Sequence, residues 1–176
     1  MPECAETPAF FFEPLHERHN RAAFSCGNES LDNYFKGDPV RQDMSRRLAA
    51  AFVMTADGST VAGFYTLSSL SITSSDLPES LAKRLPSRLP IPATLLGRMG
   101  VDTRLQGRGL GSDLLIDALH QAFQANKAVA SWAVVVDAKE GARDFYLKHG
   151  FTAMPSSPNR LFIPMKTIEQ MFSGQK

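Results

Sequence analysis

Gln106 to Leu115 reads QGRGLGSDLL, three glycines in five positions running straight into an apolar pattern. Glycine costs roughly 1 kcal/mol against alanine inside a helix, so a cluster of them at a helix start needs a reason. Close approach of an anion is one, because the first amides of a helix have no partner within it and carry the positive end of its dipole. A P-loop requires GxxxxGK[ST], and no lysine follows these glycines. A dinucleotide-binding turn requires GxGxxG directly after a strand; Gly107 and Gly109 supply the first two, but the third position is Ser112 and Asp102 to Leu105 intervene. What remains is Gln106-x-x-Gly109-x-Gly111 between a glycine-bearing strand and a helix, a nest of successive N–H groups suited to a pyrophosphate.

The flanks supply the rest of that unit. Leu110, Leu114, Leu115, Ala118, Leu119, Ala122 and Phe123 form one stripe of a helix that starts on the glycines. Before it, Ala93 to Val101 (ATLLGRMGV) predicts a strand split around Gly97 and Gly100, residues that mark a bulge or a close backbone approach. After it, Val129 to Val136 predicts a buried strand and Glu140 to His149 a helix stopped by Gly150. Phe151 to Ala153 and Leu161 to Met165 are the last strands, with Pro155 to Pro158 turning between them. Upstream, Phe10 to Leu15 is a first strand, Asn28 begins a helix, and Pro39 opens a second helix ending near Arg46 and Arg47. Ala49 to Ala56 and Val61 to Leu70 flank Asp57-Gly58 as a hairpin, and Ser74 to Pro92 is a long connection with a short helix inside. This order predicts an α/β fold of three layers, a mixed, mostly antiparallel twisted sheet flanked by helices, in a single domain over 1–176.

At 176 residues and 43% hydrophobic content the chain can bury a full core without disulfides or metal. A net charge of +1 and a pI near 7.8 exclude a polyanion binder by bulk charge, so any such site must be local. No apolar run approaches the roughly 18 residues of a membrane helix, and the acidic N-terminus MPECAETPAFFFEPL is unlike a signal peptide, which predicts a cytoplasmic protein without membrane association. Cys4 and Cys26 fit no zinc or redox spacing and read as reduced thiols. His16 and His19, in HERH, read as a solvated turn, and no metal site is expected.

The Q/R-x-x-G-x-G/A pattern met by Gln106, Gly109 and Gly111, followed by an amphipathic helix, resembles the acetyl-CoA pyrophosphate loop of the GNAT N-acetyltransferases. Four further stretches resemble the GNAT toxins of toxin–antitoxin pairs. They are Phe24-Ser-Cys26-Gly27 with Leu31-Asp32-x-Tyr34-Phe35, the hairpin, Leu95 to Asp102, and Ala142-Arg-Asp-Phe145-Tyr146 with Gly150-Phe151. The likeness spans about Phe10 to Met165. It departs at Gly100, where relatives commonly carry alanine, and in the basic stretch after Pro39.

The resemblance implies the GNAT fold, acetyl-CoA as donor cosubstrate and no metal. It implies backbone contacts to the thioester and pantetheine from Met99, Gly100 and Val101, and to the pyrophosphate from Gln106, Gly107, Arg108, Gly109, Leu110, Gly111 and Ser112. It places the general acid at Tyr146, whose plainer reading is a packing tyrosine at a helix end. Glu140, Asp137 and Asp144 are available as bases, but each also reads as a solvated or capping group, and water could deprotonate an aminoacyl α-amine of pKa about 7.7. Cys26 lies in a short helix-entry motif shared with the resembling family and reads as a buried structural thiol rather than an acyl-enzyme nucleophile.

For the acceptor, the resemblance implies the α-amino group of aminoacyl-tRNA. Arg41, Arg46 and Arg47, then Lys83, Arg84 and Arg88, and Arg98 beside the cofactor strand are the candidate phosphate contacts. Each cluster also reads as a solvated face offset by Asp38, Asp43, Asp76 and Glu79. Two other readings stand beside this one: acetylation of a protein or small-molecule amine, and a non-catalytic acyl-CoA-binding regulator. The family also implies a ribbon-helix-helix antitoxin as partner, and dimerisation, common in it, is left open by the sequence.

Overall fold

Asn28 shows how local chemistry sets the first helix. Its Oδ1 accepts the Leu31 N–H at 3.1 Å, a cap worth about 1 kcal/mol, and α1 (Glu29–Lys36) then buries Leu31, Tyr34 and Phe35 along one face. The structure, a computed structural model, describes residues 8–174; Cys4 lies outside the described residues. These residues form two compact units, one of residues up to Thr66 with Arg98–Leu115, the other of Leu67–Gly97 with residues from Ile116 on.

In the first unit a four-residue strand β1 (Phe11–Pro14) pairs antiparallel with β2 (Ala50–Thr55), Phe11 opposite Thr55 and Pro14 opposite Phe52. The neighbours continue through the first part of β3 (Gly63–Ile72) to the last part of β4 (Ile91–Val101). The expected Asp57-Gly58 turn joins β2 and β3: Asp57 Oδ1 accepts the Ser59 and Thr60 amides at 2.8 and 2.6 Å, which holds its carboxyl far below the usual range. Pro39 sits in the first turn of α2 (Asp38–Ser45) as the sequence predicts. The core is aromatic, with Phe35 stacked on Phe64 at 4.2 Å and Phe24 edge-on to both at 5.0 and 5.5 Å. Gly63 lets α4 (Leu110–Asn126) approach β3, since a Cβ there would stand 2.6 Å from Leu114 Cδ1.

In the second unit the order is β3, β4, β5 (Ala133–Asp137), β7 (Ser157–Pro164) and β6 (Thr152–Met154). β5 runs parallel to β4 from Ala93↔Ala133 to Leu96↔Val136 and antiparallel to β7, so the seven-stranded sheet is mixed, as predicted, and it is open. Ala133 to Val136 are all buried, the continuous apolar run of an interior strand. Ile72, Leu77, Ile91, Ala93, Val135, Met154 and Phe162 complete this core. The connection after β3 contains a 3-10 turn (Ser74–Asp76) and the short α3 (Glu79–Ala82).

Several boundaries differ from the sequence reading. β4 is unbroken over eleven residues despite Gly97 and Gly100; Gly100 serves close packing, since a Cβ there would stand 3.2 Å from Cys26 Cβ. Val129 lies in the turn that follows α4, its N–H bonded to Ala125 O at 3.0 Å, and is 74% exposed, so β5 starts later. α5 (Arg143–Lys148) starts later than Glu140 because Gly141, at φ +82°, breaks the helical path. A closing helix α6 (Met165–Ser173) was not expected; Met165, Ile168 and Phe172 carry its apolar face, and Phe172 lies 6.1 Å from Phe123. His19 is not solvated: it is 4% exposed, with Nδ1 accepting the His16 N–H and Nε2 2.7 Å from Glu13.

Candidate active site

The glycine loop has the geometry of an anion cradle. Gly107 and Gly109 adopt φ of +82° and +80°, left-handed conformations that cost other residues roughly 1–2 kcal/mol. A Cβ on either would meet nothing within 4 Å, so conformation, and open space on the ligand side, explain the glycines. The backbone N–H groups of Gly107, Arg108, Gly109, Leu110 and Gly111 bond to no described residue, and the first regular α4 bond runs from Asp113 N–H to Gly109 O at 3.3 Å. Five successive donors thus gather where the helix dipole is positive. These residues suit a pyrophosphate such as that of acetyl-CoA.

Gln106 acts on the protein itself. Its Nε2 donates to Cys26 O at 2.9 Å and Val101 O at 3.0 Å, fixing the loop to the end of β4 and to the segment before α1. Between them Asp102, 1% exposed, accepts from Ser25 N, Arg104 N and the Arg104 guanidinium, and caps the 3-10 turn Thr103–Leu105. Burial pushes its carboxyl up, but these bonds outweigh burial and hold it below the usual range. The sequence reading gave Asp102 no role, and its offset of four before Gln106 carries no motif.

Gly97 to Val101 continue β4 beyond its parallel register with β5, which ends at Leu96↔Val136. Met99, Gly100 and Val101 are all half-buried there. Arg98, exposed, donates its backbone N–H to Thr66 Oγ1 at 3.1 Å and lays its guanidinium 3.7 Å from the Tyr34 ring centroid. Tyr34 in turn donates to Asp43 Oδ2 at 2.9 Å. Burial, then the Asp43 carboxylate, pushes its phenol up to about 12. Tyr34, part of the stretch that resembles the GNAT toxins but given no role there, and Asp43 therefore fix the direction of Arg98. Cys26 is half-buried beside Gly100, and burial pushes its thiol up, which suits a structural role.

Tyr146, on α5, belongs to the second unit. Its ring packs edge-on against Phe145 and Phe151 at 5.2 and 5.5 Å, and burial pushes its phenol up to about 12. Its hydroxyl has no hydrogen-bond partner among the described residues, yet no described side-chain oxygen is both sealed from solvent and unpartnered, so the hydroxyl reaches solvent. Of the candidate bases, Asp137 is paired with Arg160 at 2.7 Å.

The candidate acceptor cations divide. Arg41, Arg46, Arg47 and Arg98 lie in the first unit with the glycine loop, and Lys83, Arg84 and Arg88 in the second. All are exposed. Arg41 reaches Glu17 at 3.6 Å and Lys83 reaches Glu79 at 3.4 Å, whereas Arg46, Arg47, Arg84, Arg88 and Arg108 form no ion pair with any described residue. Arg47 ends α2 at φ +60°. Among the described residues no group of three or more His, Cys, Asp or Glu could hold a metal, and no helix is long and apolar enough to cross a membrane.

A mixed open sheet with an amide cradle at the start of its longest helix defines a class of enzymes that bind a pyrophosphate-bearing donor, and comparison with known proteins agrees. Residues 88–168 match a family model described as an acetyltransferase (GNAT) domain. The probable toxin TacT of Sinorhizobium fredii (strain NBRC 101917 / NGR234) is 38% identical over 168 residues, spanning 90% of this chain and 93% of that protein. A tRNA-acetylating toxin of Mycobacterium tuberculosis (strain ATCC 25618 / H37Rv) is 37% identical, spanning 82% and 85%. Among solved structures, AtaT complexed with acetyl-methionyl-tRNAfMet superposes with a TM-score of 0.84 at 30% identity, covering 93% of this chain and 99% of that one. A tyrosine-to-phenylalanine mutant of AtaT bound to the C-terminus of the antitoxin AtaR and acetyl-CoA gives 0.78 at 28%, covering 93% and 98%. The chain belongs to the GNAT acetyltransferase family.

Proposed function

We propose that the protein is a cytoplasmic toxin that transfers the acetyl group of acetyl-CoA to the α-amino group of aminoacyl-tRNA and so blocks translation. The observation that carries the donor half is the run of five unpaired amides from Gly107 to Gly111 at the start of α4. The acceptor half is supported by the relatives named for tRNA acetylation and by the complex of AtaT with acetylated methionyl-tRNA. On this reading the whole chain works as one domain, since β3, β4 and α4 each contribute residues to both compact units.

Acetyl-CoA supplies the acyl group as a thioester. On this reading Gly107 to Ser112 hold its pyrophosphate through backbone amides, with the Arg108 charge beside them, and the amides of Met99 to Val101 on β4 bond carbonyl groups of the donor. Tyr146 donates its phenolic hydrogen toward the departing sulfur. With its pKa near 12 the phenol stays protonated across the working pH range, and it is a weaker acid than a thiol of about 8.5, so it acts by stabilising the developing thiolate while the proton comes from the attacking amine. Arg41, Arg46, Arg47, Arg84 and Arg98 supply charge for RNA phosphates. An antitoxin of ribbon-helix-helix type is the expected partner, a reading supported by the AtaR complex of AtaT.

The test is incubation with labelled acetyl-CoA and a set of aminoacyl-tRNAs, followed by release and identification of the amino acid. N-acetylated aminoacyl-tRNA is expected. Acetylation of a protein or small amine with no product from any aminoacyl-tRNA would overturn the acceptor and keep the donor.

A further inference from the structure

A cavity of about 780 Å³ opens between the loop after β1 and the helices α1 and α2, within the first unit and lined by none of the glycine-loop residues. Its charged wall has three cations, Arg21, Lys36 and Arg41, against one carboxylate, Glu17. That carboxylate is 93% exposed and reaches Arg41 only at 3.6 Å. Arg21 is fixed: one of its nitrogens, Nη1, donates to Phe35 O at 2.7 Å and Gly37 O at 2.8 Å at the end of α1, leaving the rest of its planar fork for a ligand. Burial, and then the like charge of Arg41, lower its hold on its proton, with only Asp38 opposing. Two guanidinium groups that act on each other in a concavity, with no buried carboxylate in its lining, favour an anion.

The remaining lining narrows the ligand. Leu15 and Met44 are apolar, and the exposed His16 ring lies parallel to His19 at 6.1 Å. Both His19 nitrogens are engaged, so that ring is a fixed wall. The backbone amides of Leu15, His16, His19 and Asn20 are all hydrogen-bonded within the chain, which leaves an extended peptide few partners along this wall. The charged donors of the wall are side-chain cations, which a phosphate takes, beside an apolar and aromatic surface, which a base takes. The volume suits a ligand of nucleotide size.

We propose that this cavity seats one nucleotide of a single-stranded RNA segment, its phosphate between Arg21 and Arg41 and its base against His16 and Met44. The proposal rests on the aminoacyl-tRNA reading for its source of RNA, but its test does not. A labelled single-stranded oligoribonucleotide is titrated by fluorescence anisotropy against wild type, Arg41→Ala, Lys36→Ala and Arg41→Lys, with unfolding curves to verify that each variant folds. Arg41→Ala is expected to weaken binding about tenfold, as loss of one charge-assisted bond would, and to reduce the salt slope by about 0.7. Arg41→Lys should recover part of the affinity, and adenosine monophosphate should compete at lower concentration than inorganic phosphate. Equal affinity of wild type and Arg41→Ala would overturn the site. So would Arg41-dependent binding of an acidic peptide without binding of the oligonucleotide. Failure of the acceptor reading has a different signature, the absence of acetylated aminoacyl-tRNA with wild-type protein.

Discussion

Arg47 occupies a left-handed conformation at the end of α2, where glycine is the usual residue. Arg47→Gly should therefore raise stability by about 1 kcal/mol, seen in denaturant midpoints. If the Arg47 side chain contacts RNA, the same variant raises KM for the acceptor, a trade of stability for binding. Tyr146 makes the second prediction at this scale. Tyr146→Phe removes a hydroxyl that bonds to no described residue, so folding and acetyl-CoA affinity should stay within about twofold while turnover falls roughly 100-fold or more. Unchanged turnover would make it a packing residue. Both Tyr146 and Tyr34 should ionise near pH 12 when followed by phenolate absorbance. The sign follows from the raised values: the folded state binds these protons more tightly, so the stabilisation is complete below about pH 10 and is lost as pH rises from there through 12. For Tyr146 the loss is roughly 3 kcal/mol.

Among elements, α4 and the loop before it were the most legible. The apolar stripe from Leu110 to Phe123 has one reading, and Leu114, Leu115, Ala118 and Leu119 are fully buried where it places them. For β4 the sequence left glycine with two meanings, a bulge or a close neighbour, and only the position of Cys26 against Gly100 shows the close neighbour there. The α6 helix was missed because its short apolar repeat gains meaning only from Phe123 beneath it. Two substitutions separate the two uses of glycine. Gly63→Ala forces its Cβ to 2.6 Å from Leu114 Cδ1, and the overpacking should cost about 1–3 kcal/mol and lower the melting temperature. Gly109→Ala meets no neighbour, so its stability cost is only the roughly 1–2 kcal/mol of a left-handed alanine. Its larger effect should be on acetyl-CoA, with KM raised about tenfold because the amide cradle changes shape.

Across the whole molecule a net charge of +1 says little about RNA, and the sequence left the acceptor open for that reason. Charge became informative only when placed: Arg46 and Arg47 are unpaired, while Arg98 is directed by Tyr34 and Asp43, residues 55 or more positions away in the chain. With about three phosphate contacts, raising salt fourfold should weaken acceptor binding roughly 20-fold, measured as KM for aminoacyl-tRNA; a flat salt response would remove these arginines from the acceptor site. The hydrogen bonds from Gln106 and Thr103 to Cys26 and Ser25 bear on the order of folding. They close a chain loop of 80 residues, so the cradle takes its final shape only after the N-terminal segment has docked. Residues 88–168, which carry the family signature, are therefore not a self-sufficient donor-binding module, and a nascent chain gains the capacity to bind acetyl-CoA only once its two distant ends of that loop have met.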